Sequence, residues 1–265
     1  MKQTITITVV GKSGNVIAQS SSESGTARLD FVHVYEEGDK IVVEASATPQ
    51  PLKLRFDAHV GESRVYLTAE RMEYPVPLGL EHDAYPPEAF MGEKHQIEAS
   101  CIGEAEWNVR RNLSENPLDR RGDTTCYPHC TANAETRGES VFAARNVIDG
   151  SLANTFHGEW PYTSWGEDER TDAEIMIEFG REVWIDETRI LIRADFPHDN
   201  YWTQCRICFS DGSDEILPLI KTEGMQCFSI NPRAARWVKL KDFVRSEEPS
   251  PFPALSEWEV YGSEA

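Results

Sequence analysis

The chain has 265 residues, with 45 acidic against 26 basic side chains and a net charge of −19. That balance excludes a nucleic-acid backbone or an anionic membrane surface as partner, and it suits neutral or cationic ligands and divalent cations. A hydrophobic content of 40% with 7 Trp argues for real cores rather than disorder, and the length favours two domains.

The chain opens with MKQTITITVVGKSG, in which Ile5, Ile7 and Val9 alternate with Thr. This reads as one face of a strand rather than the continuous apolar region of an export signal. Cytoplasmic location is the default for such a start; removal of a native leader would place the protein outside the cell instead. No run approaches the roughly 18 apolar residues of a membrane span.

Strands are predicted at 29–36, 40–47, 52–58 and 64–70, separated by turn material such as EEGD and TPQP. In LKLRFD, Leu52, Leu54 and Phe56 alternate with Lys53, Arg55 and Asp57, as a sheet with one wet face requires. Residues 74–93, rich in Pro, Gly and acidic side chains, read as an extended crossing segment with Tyr74, Tyr85 and Phe90 laid on a surface.

In the second half, strands are expected at 174–179, 184–195, 204–211, 214–220, 226–230, 235–243 and 257–262. The one helical pattern is GESVFAARNVIDG (138–150), where Val141, Ala144 and Val147 recur before Gly150. Of the six cysteines, Cys126 with Cys130 and Cys205 with Cys208 have spacings that invite a zinc reading. On a strand, however, Cys205 shares its face with Ile207 and Phe209 while Cys208 points away, so a CxxC knuckle is rejected. Reduced, mostly buried thiols are expected instead. The pattern predicts an all-β protein of two β-sandwich domains, residues 1–100 and 101–265.

The order of the second half carries a resemblance. NLSENP is followed by SVFAARNVIDG and Thr155, then by strands ending IEFG, TRILIRAD and FSDG, by ARWVKL, and finally by LSEWEVYG. Residues 105–262 resemble the discoidin or coagulation factor 5/8 type C family, which overlaps with family 32 carbohydrate-binding modules. Residues 1–100 carry no such resemblance. The family implies a galactose-binding-like jelly roll for the second domain. It also implies a structural calcium ion wrapped by the loop after a helical turn, beside the last strand. The resemblance makes Asp149 and Glu257 the charged ligands, with the hydroxyl and carbonyl of Thr155 and the carbonyls of Asn146 and Ser151. Ser151 stands where many relatives have Asp, which removes one carboxylate. Calcium's preference for about six to eight oxygens in flexible geometry fits such a mixed shell.

Two further segments combine aromatic and polar chemistry in loops: HGEWPYTSWG (157–166) and RADFPHDNYW (193–202). In jelly-roll carbohydrate modules, aromatic rings stack on sugar faces while charged and amide groups bind hydroxyls. The expected ligand residues are His157, Glu159, Trp160 and Trp165 from the first segment. Arg193, Asp195, His198, Tyr201 and Trp202 come from the second, and His129 is brought in by YPHC. Trp184, Trp237 and Trp258 lie in strands and are expected in the core. The leading function is therefore non-catalytic carbohydrate binding. One alternative is a carbohydrate-active enzyme drawing on Glu159, Asp168, Glu169, Asp195 or Asp199, since glycoside hydrolysis needs two placed carboxylates. The other is a protein-interaction module with the loop aromatics as anchors. No GxSxG, HExxH, P-loop or Rossmann fingerprint is present.

Overall fold

The computed structural model describes residues 3–194 and 199–265. Strands β1 (Ile5–Val10), β2 (Val16–Ser22), β3 (Thr26–Val32), β4 (Lys40–Ala45), β5 (Gln50–Arg55), β6 (Ser63–Leu67), β7 (Arg71–Pro75) and β8 (Lys94–Cys101) occupy the first half. The second half contributes β9 (Arg111–Asn112), β10 (Cys126–Tyr127), β11 (His129–Ala132), β12 (Trp165–Gly166), β13 (Ile175–Arg193), β14 (Trp202–Phe209), β15 (Asp214–Pro218), β16 (Gln226–Arg245) and β17 (Ala254–Glu264). The protein is all-β, as the alternating patterns require.

The first half is two facing antiparallel sheets, ordered β2-β1-β4-β7 and β10-β6-β5-β8-β3. Alternation places Ile5, Ile7 and Val9 against Leu52, Leu54 and Ile97, all fully buried in one cluster. The segment 74–93 corrects its expectation. Tyr74 belongs to β7, Gly79–Ala84 form a 3-10 turn, and Tyr74, Tyr85 and Phe90 sit inside the core rather than on a surface. Their spacing hid this because rings from a turn-rich segment fill a sandwich end without any period.

The second half is built on β13 and β16, each about twice the length of its neighbours. The strand order is β12-β17-β13-β16-β14-β15, with β11 also on β13 and β9 on β17. The start of β13 pairs with β11, and its stretch from Val183 to Arg193 pairs with β17, while β16 runs beside both. Pairs of separately expected strands (174–179 with 184–195, and 226–230 with 235–243) thus merge into single bent strands. The bend is accommodated by register shifts between Glu178 and Val183, near Gly180 at φ 69°. The helical pattern at 138–150 resolves into short 3-10 turns, Ser140–Phe142 and Ala144–Ile148. Extended Ala143 separates them, and the Asn146 side chain donates to the carbonyls of Ser140 and Ser164, an alternative to helical bonding. Trp258 is buried as expected, but Trp184 is 48% exposed and Trp237 is only half-buried. Cys205, Ile207 and Phe209 share the buried face of β14, with Cys208 on the other. Three of the six thiols are buried, rather than most of them.

The two cores meet through a charged and aromatic joint. Arg181 and Arg111 both donate to Glu264, and both guanidiniums lie over the Trp107 ring, which stacks on Tyr66. The chain also crosses back: β10 pairs with β6, and Leu118 and Cys126 bury themselves in the first-half core.

Gly262 lies where β17 presses on β13. A Cβ there would come within 1.8 Å of the Trp184 carbonyl oxygen. Gly262→Ala is expected to cost on the order of 3 kcal/mol by forcing the two strands apart. Urea unfolding checks this, and an unchanged midpoint would show that the strand pair is loosely held.

Candidate functional site

Arg193 ends β13 and faces Ala254 at the start of β17. Its guanidinium is buried and grips Asp199 in bidentate fashion, Nε to Oδ2 at 2.6 Å and Nη2 to Oδ1 at 2.5 Å, with Nη1 on the Ser164 hydroxyl at 3.2 Å. The planar fork matches a carboxylate in this way, and the pairing lets two charges remain in a poorly solvated place. This pair forms part of the wall of a cavity of about 330 Å³, together with His157, Glu167, Phe142, Phe252 and the flanking Pro251 and Pro253. Phe252 is 48% exposed. Asn200 fixes the loop that carries it. Its amide nitrogen donates to the carbonyls of Glu248 and Ser250, and its backbone N–H donates to the Phe252 carbonyl.

Glu167 is buried beside the pair. It accepts from Trp202 Nε1 at 3.0 Å, and its other oxygen lies 2.8 Å from Arg245 Nε without forming an aligned hydrogen bond. Burial raises its pKa, and the Arg245 charge opposes the rise. The next two residues, Asp168 and Glu169, both adopt left-handed backbone at φ 54° and 59°. Non-glycine residues seldom occupy this region, and here two in succession form part of the cavity wall.

The cavity gathers only part of the expected ligand set. Arg193 and His157 line it. Trp165 and Trp202 do not present themselves to a ligand: both are 0% exposed, with ring centroids 6.2 Å apart in the core. The indole N–H of Trp165 is spent on the Ala134 carbonyl. His129 is also corrected to a buried position, hydrogen-bonded to Asp119 at 2.7 Å. Burial alone would lower its pKa, but the Asp119 hydrogen bond and charge outweigh this and raise it. Trp160 lies apart, in a cleft against Pro86, Pro117 and Ser151, its backbone N–H on the Asp83 carbonyl. Glu159 is exposed, and Tyr201 packs half-buried against the core. Asp195 and His198 lie outside the described residues. Sequence reasoning missed Phe252, Phe142 and Glu167. For Phe252 the signal was present in PSPFPA, an aromatic between prolines just before the last strand.

A second constellation surrounds Glu257. Opposite it in β17–β13 pairing is Leu191, and the register slips at the next residue, leaving Ser256 as a bulge. Leu255 and Trp258 can therefore both face the core, while Glu257 is turned toward the Asp149 loop. Glu257 is fully buried, and neither carboxylate oxygen has an aligned hydrogen-bond partner; the Ser256 hydroxyl is likewise unpartnered. Burial drives its pKa well above the carboxylate range, and Asp149, Glu259 and Glu115 push it further, with only the Gly150 amide opposing. Asp149 forms an Asx turn, accepting from the Ser151 N–H at 2.8 Å, with Gly150 at φ 81°. Burial pushes its pKa up to about 6 against the pull of Arg145. Asn146 has its side chain fully engaged, its oxygen accepting from Arg145, so only its carbonyl is left to give. Ser151 donates its hydroxyl to the Pro161 carbonyl, and Thr155 is exposed. Among the described residues no three His, Cys, Asp or Glu side chains converge on one point. Any cation here would draw on two carboxylates, Asp149 and Glu257, and on carbonyls. The two orphaned oxygens of Glu257 fit such an ion.

No protein-family model matches the sequence, and no curated protein does. Several solved structures are similar to part of it. One is chitosan-binding module 1 of a chitosanase/glucanase from Paenibacillus sp. IK-5, at 19% identity over 57% of this chain and 99% of that chain, with a TM-score of 0.39. Another is the family 32 carbohydrate-binding module of C. perfringens NanJ in complex with galactose, at 14% identity over 58% and 99% of the two chains, with a TM-score of 0.41. A third is a fucose-binding module from Streptococcus pneumoniae, at 12% identity over 58% and 99%, with a TM-score of 0.43.

Proposed function

We propose that this protein binds a carbohydrate, without turning it over, in the cavity at the end of β13. The observation that carries this reading is the buried Arg193–Asp199 pair beside the half-exposed ring of Phe252. A sugar needs both donors and acceptors held at fixed positions for its hydroxyls, and an apolar plate for the C–H face of its ring. Arg193, Asp199 and His157 supply the first requirement, and Phe252 between two prolines supplies the second. Asp199 already accepts two charge-assisted bonds from Arg193, and Glu167 is held by Trp202 and faces Arg245. Carboxylates committed in this way orient a ligand better than they donate or remove protons.

Calcium belongs to the same reading as a structural ion. Asp149 and Glu257 would hold it, with the carbonyls of Asn146 and Ser151 and the oxygens of Thr155. A bound divalent charge would relieve the repulsion that Glu257 suffers from Asp149, Glu259 and Glu115. It would tie the 146–155 loop to the last strand, a short distance along β17 from the sugar cavity.

A panel of simple sugars, galactose, fucose and chitosan oligomers included, should raise the melting temperature of the wild type. Phe252→Ala should weaken the responding sugar about tenfold while leaving the unliganded melting point within a degree, because the ring sits at the rim. If every sugar is silent, or the variant binds as the wild type does, the assignment of this cavity fails.

Saturating calcium after chelator treatment should stabilise the protein by about 2–3 kcal/mol, seen as a melting shift of roughly 5 °C or more. Glu257→Gln should abolish the response. Identical melting curves in calcium and in chelator would remove the ion from the account.

A further inference from the structure

A cavity of about 400 Å³ lies between the two halves, walled by Tyr74 to Tyr85 of the first half and Arg120 to Arg145 of the second. Three guanidiniums line it. Arg121 is neutralised by Glu135, which also accepts from the Ala144 N–H. Arg145 is buried and gives its donors to the Asp119 carbonyl at 2.7 Å, the Pro117 carbonyl at 2.8 Å and the Asn146 amide oxygen at 3.1 Å. None of those acceptors is charged, and the guanidinium lies 4.5 Å from the Tyr85 ring centre. Arg120 forms no ion pair among the described residues, and its buried Nε has no hydrogen-bond partner.

This is an unusual disposition for a chain with 45 acidic side chains. Elsewhere the half-buried guanidiniums of Arg111 and Arg181 and the buried one of Arg193 each meet a carboxylate. Here Arg120 and Arg145 line one cavity and neither is hydrogen-bonded to a carboxylate, although the charges of Asp149 and Asp119 act on Arg145. Burial and the neighbouring Tyr85 raise the pKa of Tyr74 well above its ordinary value, and the charges of Arg145 and Arg120 oppose the rise. Tyr74 donates to the Tyr85 hydroxyl at 3.0 Å, which leaves the Tyr85 proton available to another acceptor. The negative groups facing the cavity are Glu135, already paired, and exposed Glu81. An orphaned guanidinium N–H is costly to bury unless an acceptor arrives, and the acceptor that best answers a fork geometry is an oxyanion.

We propose that this inter-half cavity binds a small organic oxyanion, whose carboxylate, sulfate or phosphate group is held by Arg120 and Arg145 while Tyr85, Pro75 and Pro77 cover its carbon skeleton. The site is separate from the carbohydrate cavity and does not depend on that reading. The volume suits a molecule of about the size of one sugar ring or a short di-acid.

Calorimetric titration with sodium sulfate, sodium phosphate and sodium citrate, at ionic strength fixed with sodium chloride, tests it. At least one anion should bind the wild type saturably, and which one responds identifies the oxyanion. Arg120→Gln should weaken that binding tenfold or more. Glu135→Gln, which removes the opposing charge and frees Arg121, should tighten it about threefold. Phe252→Ala should leave it unchanged, which separates this site from the sugar cavity. Absence of binding by all three anions, or an affinity that neither Arg120→Gln lowers nor Glu135→Gln raises, overturns the proposal. Should Arg120→Gln fail to fold, the outcome for Glu135→Gln decides it.

Discussion

The pairing of β13 with β17 is the constraint on which the rest of the second half depends. Its register sets Leu191 opposite Glu257 and Arg193 opposite Ala254. The first match, followed at once by the Ser256 bulge, delivers a carboxylate into a buried position beside the Asp149 loop. The second sets a guanidinium at the end of the sheet, where Asp199 and Ser164 can reach it. Both sites therefore hang from one ladder of backbone hydrogen bonds, and a slip of one residue would send each side chain to the opposite face. At the other end of the same ladder, Glu264 receives Arg181 and Arg111 and joins the two cores.

The molecule handles buried charge in two ways. Arg193 with Asp199, His129 with Asp119, and Glu264 with its two arginines are matched pairs, in which desolvation is offset by short charge-assisted bonds. Glu257 and Arg120 are not matched by anything in the described chain. One is an acid among acids and the other a base in a strongly acidic protein. Glu257 is fully buried, whereas Arg120 is half-buried with only its Nε shut off from solvent, and leaving such atoms without a partner costs free energy. The two unmatched residues lie in different places, one an acid and the other a base.

Much of the architecture was legible because β-strands write their burial as alternation. Ile5, Ile7 and Val9, Leu52 and Leu54, and Cys205, Ile207 and Phe209 each announce a buried face directly. What alternation does not record is where a strand continues through a bend, so β13 and β16 each look like two strands in sequence. The edge strand VIAQSSS (β2) escaped for the complementary reason: its apolar residues Val16, Ile17 and Ala18 run together and the rest is polar, so no alternation shows. In the site, loop residues could be named but not sorted. Trp165 and Trp202 look no different in sequence from a ligand platform. Only the three-dimensional neighbourhood, with Phe243 packed against both rings, makes them core. Arg193 and His157 reach the cavity, whereas Phe252 and Glu167 were overlooked because nothing local marks them as its neighbours.

The return of the chain at Leu118 and Cys126 has a consequence for how the protein can be taken apart. A cut after residue 101 does not yield two self-sufficient pieces. It strips β10 from the edge of the second sheet, leaving β6 with unpaired backbone groups, and it puts Leu118 and Cys126 into water on the other fragment. Each half completes the other's fold in a small way, as interlocked fingers do. The natural unit for transplanting, truncating or dividing between two expressed chains is the whole pair.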